Sequence, residues 1–174
     1  MVAGRGAGGA GKGGHERLMR VHLCAVGRLR DGPERALVED YRTRFDRTGR
    51  PLGLGPLTEH EVEDRKGGGM AAEAALLERS VPAGALVCVL DERGKLMSSP
   101  DFADQLARWR DGGRQEVAFV IGGADGLAPA LRDRADAALS FGRMVWPHML
   151  VRVMLAEQLY RAASILAGAP YHRA

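Results

Sequence analysis

Three loops carry residues whose types and spacing suit chemistry. Leu90–Gly94 and Ile121–Gly126 are glycine-bearing turns, and each follows an apolar, strand-like run. Gly142–Pro147 mixes polar, apolar and aromatic side chains and leads directly into a long apolar run. Ligands of open α/β sheets bind beside the carboxyl ends of the strands, where such loops lie. The pattern therefore predicts one ligand pocket built from three strand-end loops.

The glycines of the second loop have two interpretations. Glycine lets the backbone adopt a positive φ or approach a ligand closely, so Gly122 and Gly123 suit a ligand-binding turn. A Gly-Gly pair is, however, more often an ordinary turn. Asp125 suits either a turn cap or a ligand contact, and Leu90, taken alone, is typical of a core leucine.

A second group of reactive side chains lies at the end of the chain. Tyr171, His172 and Arg173 combine an aromatic ring, an imidazole and a guanidinium, which together could stack on a base and hold a phosphate. Chain ends also commonly fray. On the preceding apolar run, Glu157 and Arg161 have the four-residue spacing of a surface ion pair on a helix.

The elements that must position these residues alternate between strands and helices. Val21–Val26 is almost continuously apolar, which is typical of a parallel strand buried on both faces. Pro33 suits the first position of a helix and Ser98 suits an N-cap. The alternation predicts an α/β fold with a mainly parallel sheet. We expect strands at 21–26, 51–62, 85–90, 116–121 and 138–141, and helices at 34–47, 70–79, 102–110, 129–135 and 150–166.

The composition predicts one domain with a substantial core. The chain has 174 residues, of which 45% are hydrophobic and 27% are charged. A net charge of +3 is compatible with a nucleic-acid partner but does not require one. Residues 1–18 are rich in glycine and alanine, so we expect a disordered extension ahead of a domain at 19–174.

The sequence also favours a cytoplasmic protein without a metal. Cys24 and Cys88 both lie in apolar runs and are predicted to be buried thiols. No cysteine and histidine spacing is typical of zinc. No apolar run has the length of a membrane span, and the first residues lack the apolar core of a signal peptide.

Three sequence blocks stand in a distinctive order: Leu90–Lys95 with Ser98–Ala103, Phe119–Leu127, and Pro147–Ala162 with Pro170–Arg173. Together they resemble the RlmH family, and the resemblance covers about residues 19 to 173. Members are SPOUT-class methyltransferases that modify N3 of pseudouridine 1915 in 23S rRNA, using S-adenosyl-L-methionine. The resemblance implies a trefoil-knotted α/β fold, an exception to the general absence of knots, and a homodimer that binds the cofactor in the knot.

The resemblance also implies roles for individual residues. The Gly142–Pro147 loop would bind the adenine edge through its backbone, with apolar side chains flanking the ring. The alternative for this loop is a buried connection in which Pro147 starts the helix. The implied cofactor-binding residues are Leu90, Gly123, Gly142, Arg143, Met144, Val145, Trp146 and Pro147.

Catalysis on N3 requires that the proton on this nitrogen be removed or the resulting anion be stabilised. His172 is the candidate base because an imidazole titrates near neutral pH. Arg173 and Arg152 would stabilise the anion or bind phosphate, with Arg152 reaching across the dimer. Tyr171 would contact the RNA and take part in catalysis. His148 suits a helix start better than a base.

The RNA would be a shaped site within the assembled 70S ribosome, held through phosphate contacts. A solvated charged face remains the commoner explanation for any one basic residue. The candidate contacts are Arg28, Arg30, Arg42, Arg44, Arg65 and Lys66.

Three other functions compete with this interpretation of the sequence. Another SPOUT enzyme could act on transfer RNA, although the terminal Tyr171–Arg173 and the lack of an extra RNA domain argue against it. A non-catalytic ribosome-associated factor that binds the cofactor weakly or not at all is a second alternative, and Gly122–Gly123 and the terminal Tyr171–Arg173 argue against it. A Rossmann-type methyltransferase would need a glycine-rich loop after the first strand, which Gly27–Arg30 does not provide.

Overall fold

A computed structural model describes residues 17–173, with only the backbone described for residues 172 and 173. The predicted disordered extension therefore lies outside the described residues, apart from residues 17 and 18. The strands are β1 (Met19–Val26), β2 (Leu54–Val62), β3 (Leu86–Leu96), β4 (Glu116–Ile121) and β5 (Ala137–Ser140). The α-helices are α1 (Pro33–Gly49), α2 (Gly69–Ser80), α3 (Ser99–Asp111), α4 (Pro129–Arg134) and α5 (His148–Leu166), and short 3-10 helices span Arg50–Leu52 and Pro170–Arg173.

The five strands form one sheet in the order β2-β1-β4-β3-β5, and every neighbouring pair is parallel. The predicted α/β fold with a parallel sheet is therefore confirmed. Helices begin where the sequence indicated: Pro33 opens α1, and the Ser98 hydroxyl caps α3 by accepting from the Asp101 amide at 3.2 Å. The knot and the homodimer remain predictions.

One strand is longer than predicted. The sequence indicated a turn after Leu90, but β3 resumes pairing beyond an irregularity, and both Leu90 and Lys95 pair with Leu139. A side chain at Gly94 would bring its Cβ within 2.7–2.8 Å of the backbone of Leu139 and Ala138. Only glycine lets the β3 backbone approach β5 this closely. The polar residues before Gly94 are typical of a turn, so local sequence preference does not predict the renewed pairing.

Helices cover both faces of the sheet, as buried parallel strands require. On one face, α1, α3 and α5 supply residues such as Phe45, Leu106 and Leu155 to the larger core cluster. On the other face, α2 and α4 contribute Leu77 and Leu131 to a second cluster. The elements thus hold the carboxyl ends of the strands in fixed positions, where the predicted loops follow.

Both cysteines are buried thiols, as predicted. Cys88 belongs to the larger cluster and Cys24 to the smaller one, so they lie on opposite faces of the sheet. Burial raises the pKa of the Cys88 thiol to about 12. In the part of the chain that the structure describes, no helix is long and apolar enough to cross a membrane.

Candidate functional site

A cleft of about 370 Å³ opens beside the carboxyl ends of the strands. The structure brings residues of all three predicted loops into its walls, together with the first turns of several helices. Of the residues proposed for cofactor binding, Leu90, Gly123, Gly142, Met144, Val145 and Trp146 line it, whereas Arg143 and Pro147 do not. Its size falls within the range typical of small-molecule sites.

The Gly122–Gly126 turn closes tightly upon itself. The Gly126 amide donates to the Gly123 carbonyl at 3.0 Å, and Gly126 adopts a φ of +79°. A Cβ on Gly122 would lie 2.6 Å from the Gly126 carbonyl carbon and oxygen, so a side chain there would force the turn open. The glycines therefore shape the turn and leave the Gly123 backbone on the cleft wall.

The Gly142–Pro147 loop presents apolar side chains at the cleft mouth. Ser140 fixes its start, because its hydroxyl accepts from the Gly142 amide at 3.1 Å and donates to the Gly142 carbonyl at 3.2 Å. Met144 is 73% exposed and Val145 is 86% exposed. Exposed apolar groups that are contiguous mark an interaction site. This apolar rim also includes Trp146, Met149 and Leu150.

Several cleft residues were not proposed from the sequence. His148 lines the cleft at the start of α5, although the sequence favoured a merely structural role for it. Its position directly after the Gly142–Pro147 loop was the available signal. Met70 and Arg132 come from α2 and α4, and their sequence context gave no indication of this location. The charged lining is mixed, with Asp91, Glu92 and Asp125 opposite in sign to Arg93 and Arg132.

A carboxyl group lies directly behind the Gly123 backbone. The Oε2 atom of Glu73 would be 3.1 Å from a Cβ on Gly123, and it is buried without a hydrogen-bond partner among the described residues. Burial raises the pKa of Glu73, and the nearby Asp125 and Asp64 raise it further. Glu73 therefore places a carboxyl group of raised pKa at the rear of the cleft wall.

Arg152 does not line the cleft; it lies in a buried network behind it. Its guanidinium is 1% exposed and contacts Glu61 at 2.7 Å and Glu59 at 3.3 Å. The same group donates to the carbonyls of Val26 and Gly27 at 3.2 and 3.0 Å. The expected reach of Arg152 across a dimer therefore does not match its position, because α5 turns this side chain inward onto β1 and β2.

Tyr171 packs against α5, away from the cleft lining. Its hydroxyl donates to Glu157 at 3.1 Å, and the Arg161 guanidinium lies 5.0 Å from its ring centroid. Burial raises the pKa of Tyr171, and its hydrogen bonds to Tyr41 and Glu157 add to this effect. Glu157 and Arg161 form the predicted i,i+4 pair at 2.7 Å. The side chains of His172 and Arg173 lie outside the described residues.

Among the described residues, no group of three or more histidine, cysteine, aspartate or glutamate side chains could hold a metal ion. The cleft combines backbone groups, apolar side chains and charges of both signs. That combination suits a small organic ligand with apolar and charged parts.

Residues 19–172 match the family model described as a predicted SPOUT methyltransferase. The chain is 75% identical over 155 residues to a ribosomal RNA large subunit methyltransferase H of Cereibacter sphaeroides, covering 89% of this chain and 99% of that protein. It is 71% identical, with the same coverage, to the protein of that name from Ruegeria pomeroyi.

Among solved structures, the SpoU methyltransferase AviRb from Streptomyces viridochromogenes, in complex with AdoMet, aligns with a TM-score of 0.41 and 16% identity. That alignment covers 83% of this chain and 58% of the other.

Proposed function

Because this chain belongs to the SPOUT methyltransferase family, we propose that it transfers a methyl group from S-adenosyl-L-methionine to the ribosomal RNA of the large subunit. The specific target is N3 of pseudouridine 1915 in 23S rRNA. The observation that carries the proposal is the cleft at the strand ends, into which the family's three sequence blocks converge. Relatives at 71–75% identity that are named for this activity support it.

The cleft offers complementary groups for each part of the cofactor. The backbone of the Gly142–Pro147 loop would bind the adenine edge, with Met144 and Val145 against the ring. The Gly123 backbone and the Leu90 carbonyl edge would flank the adenosine. Charged lining groups such as Asp91 and Arg93 suit the ammonium and carboxylate of the methionine part.

The protein must align the nucleophile and remove one proton. When bound, S-adenosyl-L-methionine supplies an electrophilic methyl group on a sulfonium. His172 is proposed to accept the N3 proton, and Arg173 to stabilise the negative charge on the flanking carbonyl oxygens. Tyr171 holds the chain end against α5 through Glu157. Arg152 enters this proposal as a positioning residue, because its guanidinium holds the end of β1.

The proposed partners are the 70S ribosome and a second copy of the chain. The apolar rim described above would be covered in a homodimer, where its exposed side chains lose contact with water. An enzyme of assembled ribosomes works in the cytoplasm, where we propose that this protein acts. The cofactor site would then lie next to the dimer contact.

The decisive experiment offers labelled S-adenosyl-L-methionine and the full chain to 70S ribosomes, 50S subunits and free 23S rRNA, and maps the modified nucleotide by mass spectrometry. We expect label at N3 of one 23S pseudouridine, and only with 70S ribosomes. Label on transfer RNA would replace the proposal by another SPOUT specificity. Cofactor binding without any transfer would indicate a non-catalytic binding factor.

The proposed base is tested separately with His172→Ala. We expect kcat to fall by about 10²-fold or more while the Kd for the cofactor is unchanged. Full turnover with normal cofactor binding would remove His172 from the mechanism.

A further inference from the structure

The loop that joins β1 to α1 presents two arginines to solvent beside the cleft. Arg28 and Arg30 are exposed, and the ion pairs between described residues include neither of them. Other basic residues suggested for RNA contact differ in this respect. Arg42 pairs with Glu39 at 2.6 Å, and Arg44 pairs with an aspartate one helical turn away.

The backbone of this loop is fixed from behind. The Leu29 amide donates to Glu61 at 2.6 Å, and the Leu29 side chain is buried against Val38 and Val153. The Gly27 carbonyl accepts from Arg152 at 3.0 Å. Residues 27 and 29 are therefore held inward, which leaves the alternate residues 28 and 30 pointing outward on a rigid loop.

The network behind the loop balances its own charges. Arg35 contacts Glu59 at 2.6 Å and Glu61 at 3.0 Å, and Arg152 contacts the same two carboxylates. Two partly buried glutamates thus face two arginines, so these acids do not compete for Arg28 or Arg30. Buried ion pairs add little net stability compared with apolar packing. The main effect of the network is therefore to hold the neighbouring loop in place.

The network positions a loop that borders the catalytic cleft. A Cβ on Gly27 would lie 3.8 Å from Nε2 of the cleft residue His148. The Val26 side chain would lie 3.1 Å from a Cβ on Gly123, on the same wall. When the base of a nucleotide enters the cleft, its flanking phosphates must lie close to this loop.

From these observations we propose that Gly27–Arg30 is a phosphate-binding loop for the RNA substrate, with Arg28 and Arg30 as its contacts. The inference rests on the proposed function and specifies how the substrate is held. Phosphate contacts set the register of a nucleic acid without reading its sequence. Arginines on an ordered loop lose less conformational freedom on binding than arginines on a mobile one.

The test compares the double variant R28Q/R30Q with a matched control, R47Q/R114Q. Arg47 and Arg114 are also basic, but they lie at the opposite end of the sheet, near the end of α1 and just before β4. Both variants lose two positive charges. For R28Q/R30Q we expect the KM for 70S ribosomes lacking this methylation to rise by about tenfold. The Kd for S-adenosyl-L-methionine and the thermal midpoint should remain those of the unaltered protein.

The salt dependence gives a second readout. Plots of log KM against log salt concentration should lose about one to two units of slope in R28Q/R30Q and none in the control. An unchanged KM, or equal effects in both variants, would overturn the inference, since equal effects reflect net charge alone.

Co-sedimentation with the same ribosomes separates this inference from the proposed function. If the unaltered chain sediments with ribosomes but transfers no methyl group, the proposed function fails. The loop is then judged by whether R28Q/R30Q alone loses sedimentation. Absence of sedimentation by the unaltered chain would overturn both.

Discussion

The two ends of β1 handle buried polar groups in opposite ways. At the carboxyl end, beside the cleft, Arg152 and Arg35 form a charged network with two glutamates. Toward the amino end, His22 contacts His60 at 2.9 Å and Glu116 at 3.3 Å. Burial lowers the pKa of His22, and the adjacent His60 lowers it as well, which favours a neutral ring. Toward the amino end a histidine of lowered pKa thus lies beside one ion pair, Arg20–Glu116, whereas at the carboxyl end two arginines and two glutamates hold a loop.

Arg152→Met gives the largest expected effect. It leaves Glu59 and Glu61 with an unbalanced negative charge in a buried site, so we expect the free energy of unfolding to fall by about 3–5 kcal/mol. Urea denaturation at pH 7 measures this. A loss below about 1 kcal/mol would show that the network carries no buried charge and would remove the contrast between the two ends.

Gly122→Ala and Gly113→Ala compare turns at the two ends of β4. A Cβ at position 122 meets the Gly126 backbone at 2.6 Å, whereas position 113 has open space and a φ of +88°. We expect Gly122→Ala to cost about 1–3 kcal/mol of stability through overpacking, and to weaken cofactor binding. Gly113→Ala should cost about 1 kcal/mol from backbone strain alone, with cofactor affinity retained. Calorimetric titration and urea unfolding distinguish these outcomes, and equal cofactor affinities would contradict a role for the turn in binding.

The pH dependence of stability sharpens the comparison at the amino end. The pKa of His22 in the folded protein lies below 6.5, the ordinary value for histidine. The contribution of His22 to stability is therefore present above pH 6.5 and is lost as the pH falls through the folded pKa. The charged or titratable groups that face it are His60, Glu116 and Arg20. We expect urea midpoints to fall between about pH 7.5 and pH 5, and to fall less in His22→Gln. An identical slope in that variant would assign the pH effect to other groups.

Glu73 should give the smallest effect, with the opposite sign. Its pKa is raised by burial, so its favourable contribution is present at acid pH and is lost as the pH rises through the folded pKa. Glu73→Gln is therefore expected to raise the urea midpoint slightly at about pH 7 and to leave it unchanged at about pH 4. A lower midpoint at neutral pH would indicate that the carboxylate has a stabilising partner.

Local patterns were sufficient to predict most of the elements. The apolar run Val21–Val26, the proline at position 33 and the serine at position 98 mark element starts that the structure has within one or two residues. Local reasoning fails for the second half of β3, because its polar residues Asp91–Gly94 resemble a turn and only the fit of Gly94 against β5 permits the return.

The candidate site was predictable where loops follow strands, and not where partners are distant in sequence. Arg152 meets Glu61 across 91 residues and Glu59 across 93. No local pattern indicates such a pairing, so an outward role for Arg152 was predicted instead. The family resemblance supplied the cofactor and the reaction, which spacing alone left open.

The unequal surroundings of the two tryptophans have a practical consequence. Trp146 stands on the cleft mouth and is 40% exposed, whereas Trp109 is partly buried against Phe119 of the core, with ring centroids 6.3 Å apart. Because the chain contains only these two, its intrinsic fluorescence combines one reporter at the ligand site with one internal reference. Occupation of the cleft can therefore be followed optically without any added label.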